Sequence, residues 1–192
     1  MKSSILRLGI FFYSTIPHNS IPLFICKLVC LFLSIMSEKR IAIFPGTFDP
    51  VTAGHESMVR RSTHLFDEII VAIGHNAAKP SGYFDLETRI KFLNETFKDL
   101  PNVKIETYQG LTTEFCKAKS ARFILRGLRS STDFEYERNI AQANNALVPE
   151  IETVFIISNP GLSAINSSIV RDIHRHGGDV KQFLPKALHP YF

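Results

Sequence analysis

Thr47, Thr52, Gly54 and His55 stand close together in the string FPGTFDPVTAGH, which runs from residue 44 to residue 55. Two hydroxyls, a glycine and an imidazole at this spacing suit an anion. If Thr52 opens a helix, the first turn presents free N–H groups and the positive end of the helix dipole. Gly54 then lets a bulky ligand approach the backbone, and His55 turns its ring toward the same space. The same residues also fit a plain N-cap and a solvated histidine, and the string alone leaves both readings open. No G-x-G-x-x-G follows, and no Gly-Lys-Ser/Thr, so neither the dinucleotide fingerprint nor the P-loop is present.

Other residues invite the same chemistry. Arg126 and Arg129 flank Gly127-Leu128. Guanidiniums bind phosphate oxygens bidentately, but Asp133, Glu135 and Glu137 are close enough in sequence to pair with them instead. Lys79 lies between Gly74 and Gly82, either as a surface lysine or as a mobile cation over a phosphate. Asn166-Ser167-Ser168 opens an apolar helical pattern, as an anion site or as a simple cap. His174, His176 and His189 have no Asp, Glu or Cys at ligand spacing, so no metal site is expected and they read as surface or packing residues. No Ser-His-Asp or Cys-His arrangement is visible.

These groups need a frame. Residues 40–44 (RIAIF), 68–74 (EIIVAIG), 103–107 (VKIET), 122–127 (RFILRG) and 152–158 (ETVFIIS) read as five strands. Between them, apolar residues recur at helical spacing: Met58, Val59, Ser62, Leu65 and Phe66; Leu86, Ile90, Leu93 and Phe97; Tyr136, Ile140, Ala143 and Leu147; Ile165, Ile169, Val170 and Ile173. Residues 112–119 and 179–185 read as short helices. Alternating strands and helices, with residues 103–107 alternating and the other strands reading largely as apolar runs, predict an α/β fold: a Rossmann-like, doubly wound parallel five-stranded sheet with flanking helices. Ligands of such sheets bind beyond the carboxyl ends of the strands. That is where the loops after Phe44, Gly74, Leu125 and Ser158 fall.

Charge adds little. Lys2, Arg7 and Lys27, but none of the 18 acidic residues, precede Met36, so the rest of the chain is nearly neutral despite the net +4. No clustered basic face points to nucleic acid. Cys26, Cys30 and Cys116 form no CxxC pair, which speaks against a disulfide framework or zinc site and for a cytoplasmic setting. Residues 1–35 are apolar and are interrupted by residues 17–20 (PHNS) and by Lys27. A translation start at Met36, a membrane-associated extension and a secretory signal compete for this segment. The first is taken as the expectation, which makes residues 36–192 a single nucleotide-binding-type domain with no membrane attachment expected.

The string PGTFDPVTAGH, LRGLRSSTDFEYE (residues 125–137), INSSIVRDI (residues 165–173) and the position of Lys79 together resemble the bacterial phosphopantetheine adenylyltransferases. These belong to the nucleotidyltransferase superfamily with a T/HxGH motif. The resemblance spans about residues 39–185, and residues 126–137 carry its most distinctive part. It implies adenylyl transfer from ATP to 4′-phosphopantetheine, with Mg²⁺ on the ATP phosphates and no protein metal ligand. It implies Thr47, His55, Lys79 and Arg126 as catalytic residues. ATP would contact Thr47, Phe48, His55, Gly127, Leu128, Arg129, Glu137 (at the ribose), Leu162, Ser163, Ala164, Ile165, Asn166, Ser167 and Ser168. Phosphopantetheine would contact Thr47, Lys79, Thr112 and Arg126. Asn166 stands where the family usually has serine, which leaves the backbone donors and Ser168 as the stronger part of that element. A homohexamer and feedback by coenzyme A are further implications. The alternatives are another superfamily enzyme, acting on nicotinamide mononucleotide or a polyol phosphate, and a non-catalytic nucleotide-binding module.

Overall fold

The computed structural model describes residues 39–75 and 82–192; the readings placed on residues 1–35, on Met36 and on Lys79 lie outside the described residues. The five expected strands are β1 (Ile41–Gly46), β2 (Glu68–Gly74), β3 (Val103–Tyr108), β4 (Phe123–Leu128) and β5 (Glu152–Ile157). They form one parallel sheet in the order β3-β2-β1-β4-β5. The helices are α1 (Ala53–Ser62), α2 (Leu86–Phe97), α3 (Thr112–Ala118), α4 (Ser131–Leu147) and α5 (Ser167–Arg175). The expected helix over residues 179–185 is a single 3₁₀ turn, Lys181–Phe183, and a second such segment, Lys186–Tyr191, ends the chain.

The apolar strands divide their side chains between two cores, as the period of two requires. Ala42, Phe44, Ile69, Val71, Ile73 and Leu125 join Val59 of α1 and Phe92, Leu93 and Phe97 of α2 on one face. Ile43, Ile70, Ala72 and Ile124 join Cys116, Val148 and Ile151 on the other. Cys116 is a free, buried thiol whose pKa burial pushes up to about 12, which keeps it protonated and unreactive.

The strand order reverses direction between β1 and β4, and the pairing there is short. β1 pairs with β2 from Ile41 to Gly46, but with β4 only at Ala42 and Ile43. Beyond Ile43 the two strands splay, and a crevice opens at the carboxyl ends of the sheet, where open α/β sheets place their ligands.

The expected apolar face of α4 is a correction. Tyr136 and Leu147 are 67% and 62% exposed, and the one residue of the helix that is buried is Glu137. Through Glu137, Ile140, Ala141 and Asn144 the helix lines a cavity rather than sealing the core. Similarly, Leu65 lies beyond the end of α1 and is exposed, as is Ile169 on α5.

Candidate active site

The splayed ends of β1 and β4 are bridged by one side chain. Arg126 Nη1 donates to the Pro45 carbonyl oxygen at 2.9 Å, while its Nε and Nη2 donate to Glu137 Oε2 and Oε1 at 2.8 and 2.5 Å. Arg129 is held in the same manner by Asp133, with Nε to Oδ2 at 2.7 Å. Both readings of these arginines therefore meet in one place. They pair with acids of α4, and both line a cavity of about 410 Å³ at the mouth of the crevice.

The loop between β1 and α1 forms the opposite wall. It is fastened from several sides. Asp49, buried, accepts the backbone N–H groups of Tyr83 and Phe84 at 2.7 and 2.8 Å. Arg171 of α5 donates to the Asp49 carbonyl at 2.6 Å, and the Ser167 hydroxyl donates to that of Pro50 at 2.8 Å. Arg89 of α2 donates to the Thr47 carbonyl at 3.0 Å. Phe48 takes a left-handed φ of 46°, which non-glycine residues adopt only when the surroundings dictate it. Its ring packs edge-on to Phe44 and His55. Gly46 leaves room for that ring: a β-carbon there would fall 2.9 Å from it.

Thr52 caps α1 as expected, and His55 completes a capping box. The Thr52 backbone N–H donates to His55 Nδ1 at 3.0 Å. Nδ1 is thus an acceptor, so the neutral ring carries its proton on Nε2. The His55 pKa is lowered to about 4, first by burial and then by the positive charges of Arg129 and Arg126. At neutral pH this side chain is an uncharged donor that lines the cavity beside two guanidiniums.

Of the other expected site residues, Thr47, Gly127, Glu137, Leu162, Ile165, Asn166 and Ser167 also line this cavity. Phe48, Leu128, Ser163, Ala164 and Ser168 do not. Asn166 Oδ1 accepts the Ile169 N–H at 2.9 Å, an N-cap bond that takes up one side-chain acceptor. Ser168 Oγ accepts from Arg171. A second cavity, of about 300 Å³, shares Pro45, Gly46, Thr47, Arg126 and Glu137 with the first and extends past Thr112, Tyr108, Ile140 and Asn144. Among the described residues, no group of three or more His, Cys, Asp or Glu converges as a metal site.

Sequence reading missed Asp49, Met58 and Arg89. Asp49 looked like part of an Asp-Pro turn, and its partners lie over thirty residues on. Met58 lies against Gly127, where a β-carbon would fall 2.3 Å from its sulfur. Arg89 had a signal: it falls three residues after Leu86 and four before Leu93, a cation on the apolar face of α2.

The cytidylyltransferase-like family matches residues 43–173. A phosphopantetheine adenylyltransferase of Cytophaga hutchinsonii is 52% identical over 147 residues, covering 77% of this chain and 97% of the relative. The chain belongs to the phosphopantetheine adenylyltransferases. A member of that family from Lachnoclostridium phytofermentans is 45% identical over 149 residues, covering 78% of this chain and 91% of the relative. Among solved structures, a bifunctional NMN adenylyltransferase/ADP ribose pyrophosphatase from Francisella tularensis superposes with a TM-score of 0.60 at 17% identity, over 77% of this chain and 45% of that one. A putative nicotinate-nucleotide adenylyltransferase from Vibrio parahaemolyticus gives 0.56 at 22%, over 78% and 96%. At these identities the two structures support the Rossmann-like fold, while the curated relatives carry the family.

Proposed function

We infer that the chain transfers the adenylyl group of ATP to the phosphate of 4′-phosphopantetheine, giving dephospho-coenzyme A and pyrophosphate. The observation that carries this reading is the meeting of two cavities at Thr47, Arg126 and Glu137. The larger cavity, walled by α1, Arg129 and the segment before α5, suits ATP. The second, running under α4 past Thr112, Ile140 and Asn144, suits the pantetheine arm. The two phosphates would then meet where β1 and β4 part.

The chemistry asks little of the protein beyond position and charge. An oxygen of the phosphate monoester, already anionic at neutral pH, bonds to the α-phosphorus of ATP while the bond to the β-phosphate oxygen breaks. No general base is required. Thr47 orients the attacking phosphate. His55 donates its Nε2 proton to an α-phosphate oxygen and stabilises the charge that gathers there. Arg126 and Lys79 neutralise the incoming and developing charge, and Arg129 faces ATP. Each arginine exchanges an α4 carboxylate for phosphate oxygens, which releases Glu137 for the ribose hydroxyls. A Mg²⁺ would enter with ATP, held by its phosphates and by water without a protein ligand. When bound, it offsets the charge of the departing pyrophosphate.

Exposed Tyr136, Leu147 and Ile157 on α4 and β5 support the homo-oligomer, a hexamer in the family, as part of the same reading. Feedback by coenzyme A, which would share the pantetheine cavity, belongs to the same reading. Among the described residues no helix is long and apolar enough to cross a membrane, and the free thiol of Cys116 is in keeping with a cytoplasmic setting. The test is pyrophosphate release from ATP with phosphopantetheine against nicotinamide mononucleotide. Turnover with phosphopantetheine alone is expected. Preference for nicotinamide mononucleotide, or no turnover with either, would overturn the assignment.

A further inference from the structure

Arg89 is only 6% exposed and makes no salt bridge among the described residues, although the carboxylate of Asp85, the N-cap of its own helix, feels its charge. Its Nη1 donates to the Thr47 carbonyl at 3.0 Å, and its Nε lies 3.4 Å from the Asp85 carbonyl of its own helix. A buried guanidinium is costly unless its donors are satisfied, and here they go to two backbone carbonyls, that of Asp85 in its own helix and that of Thr47 in the phosphate-facing loop. That peptide joins Thr47, exposed at the junction of the two cavities, to Phe48 in its left-handed conformation. The peptide is trans, so the Thr47 carbonyl and the Phe48 N–H point in opposite directions. With the carbonyl turned inward to the buried guanidinium, the N–H of Phe48 turns to the open side of the loop, where it has no acceptor among the described residues.

We propose that Arg89 is a positioning residue for adenylyl transfer. By gripping the Thr47 carbonyl it holds the Thr47 hydroxyl and the Phe48 N–H toward the reacting phosphates. It also places a fixed positive charge behind them. The grip depends on a fork that reaches Thr47 while its Nε stays beside Asp85, which a lysine ammonium cannot reproduce. Without it, the strained peptide is free to turn, and a displacement of about 1 Å at the reacting centre lowers the rate on the order of 100-fold.

This inference rests on the proposed reaction, so the unaltered chain is measured first in the same pyrophosphate-release assay. Failure there refutes the reaction and not the role of Arg89. Arg89→Lys and Arg89→Met are then compared as full chains, with rates normalised to the folded fraction from thermal melts at the assay temperature. The expected result is a kcat about 10-fold lower for Arg89→Lys and about 100-fold lower for Arg89→Met, with KM for each substrate within about 3-fold of the unaltered chain. A merely structural role would lower the melting temperature and leave kcat per folded molecule in place. Arg89→Lys, which keeps charge and stem, decides the matter if Arg89→Met does not fold. Its kcat per folded molecule within about 2-fold of the unaltered chain, or a loss confined to KM, would overturn the proposal.

Discussion

His55 should remain uncharged far below the pH at which histidines ordinarily protonate. In the ligand-free protein its pKa is lowered from 6.5 to about 4 by burial and by Arg129 and Arg126. The unfolded chain therefore binds a proton at this site between those values and the folded protein does not. Stability is complete above about pH 6.5 and falls as the pH drops toward about 4. The gap between 6.5 and about 4 corresponds to about 3.5 kcal/mol, lost by the acid end of that window. Ring resonances followed by NMR would read the titration directly. The activity profile is a poorer witness, since a substrate phosphate monoester titrates near pH 6. His55→Ala removes both the Nε2 donor and the capping acceptor. It should lower kcat on the order of 100- to 1,000-fold, cost about 1 kcal/mol of stability, and leave ATP affinity largely intact. A His55 midpoint near 6.5, or near-normal turnover by His55→Ala, would refute a neutral donor at this position.

Three further substitutions separate the roles around it. Arg126→Ala should raise the KM for phosphopantetheine about 10-fold or more, the worth of one charge-assisted contact, with a smaller change for ATP; an unchanged KM would remove Arg126 from that substrate. Glu137→Gln weakens the clamp on Arg126 and should lower the melting temperature by roughly 3–6 °C, since it breaks a largely buried ion pair, and it should weaken ATP binding if the carboxylate reaches the ribose. Gly127→Ala places a methyl group against the Met58 sulfur and should cost about 1–3 kcal/mol in a denaturant melt; adding Met58→Ala should relieve the crowding, and unchanged stability in Gly127→Ala would show that Met58 yields freely.

The sheet was legible because its central strands β1 and β2 are apolar on both faces, and the alternation of strands and helices leaves few other ways to bury them. The placement of the site followed from strand ends. What sequence could not decide were questions of partner choice. Arg126 and Arg129 lie within a few residues of both acids and a phosphate-binding position, and only the packing of α4 shows that they hold the acids and face the cavity together. The burial of Glu137 was not legible, because the apolar spacing of Tyr136, Ile140, Ala143 and Leu147 marked a different face of the helix. That face is largely exposed, and the carboxylate is buried by the arginine it pairs with. Asn166 looked like a departure from the family serine, and the structure gives its oxygen a capping bond that does not involve ligand. Arg89 was passed over because a periodicity count records apolar positions and skips the cation among them.

The ligand-free site thus keeps its cations near neutralised while holding its donors in place. Glu137 and Asp133 occupy Arg126 and Arg129, which limits the repulsion of two guanidiniums beside the His55 ring. The two donors proposed to face the reacting phosphates, His55 Nε2 and the Phe48 N–H, are held by bonds made at their opposite ends, Thr52 N–H to Nδ1 and Arg89 to the Thr47 carbonyl. Under the proposed reaction the paired arginines would exchange carboxylate for phosphate when substrate arrives, whereas the fixed donors would need no rearrangement during the reaction. This division explains the composition of FPGTFDPVTAGH. Turn residues are needed to bring Thr47 and His55 to one centre, and the carbonyls of Pro45, Thr47, Asp49 and Pro50 are each engaged by a side chain from β4, α2 or α5. A loop anchored at that many points keeps the conformation of Phe48 that an isolated turn would lose.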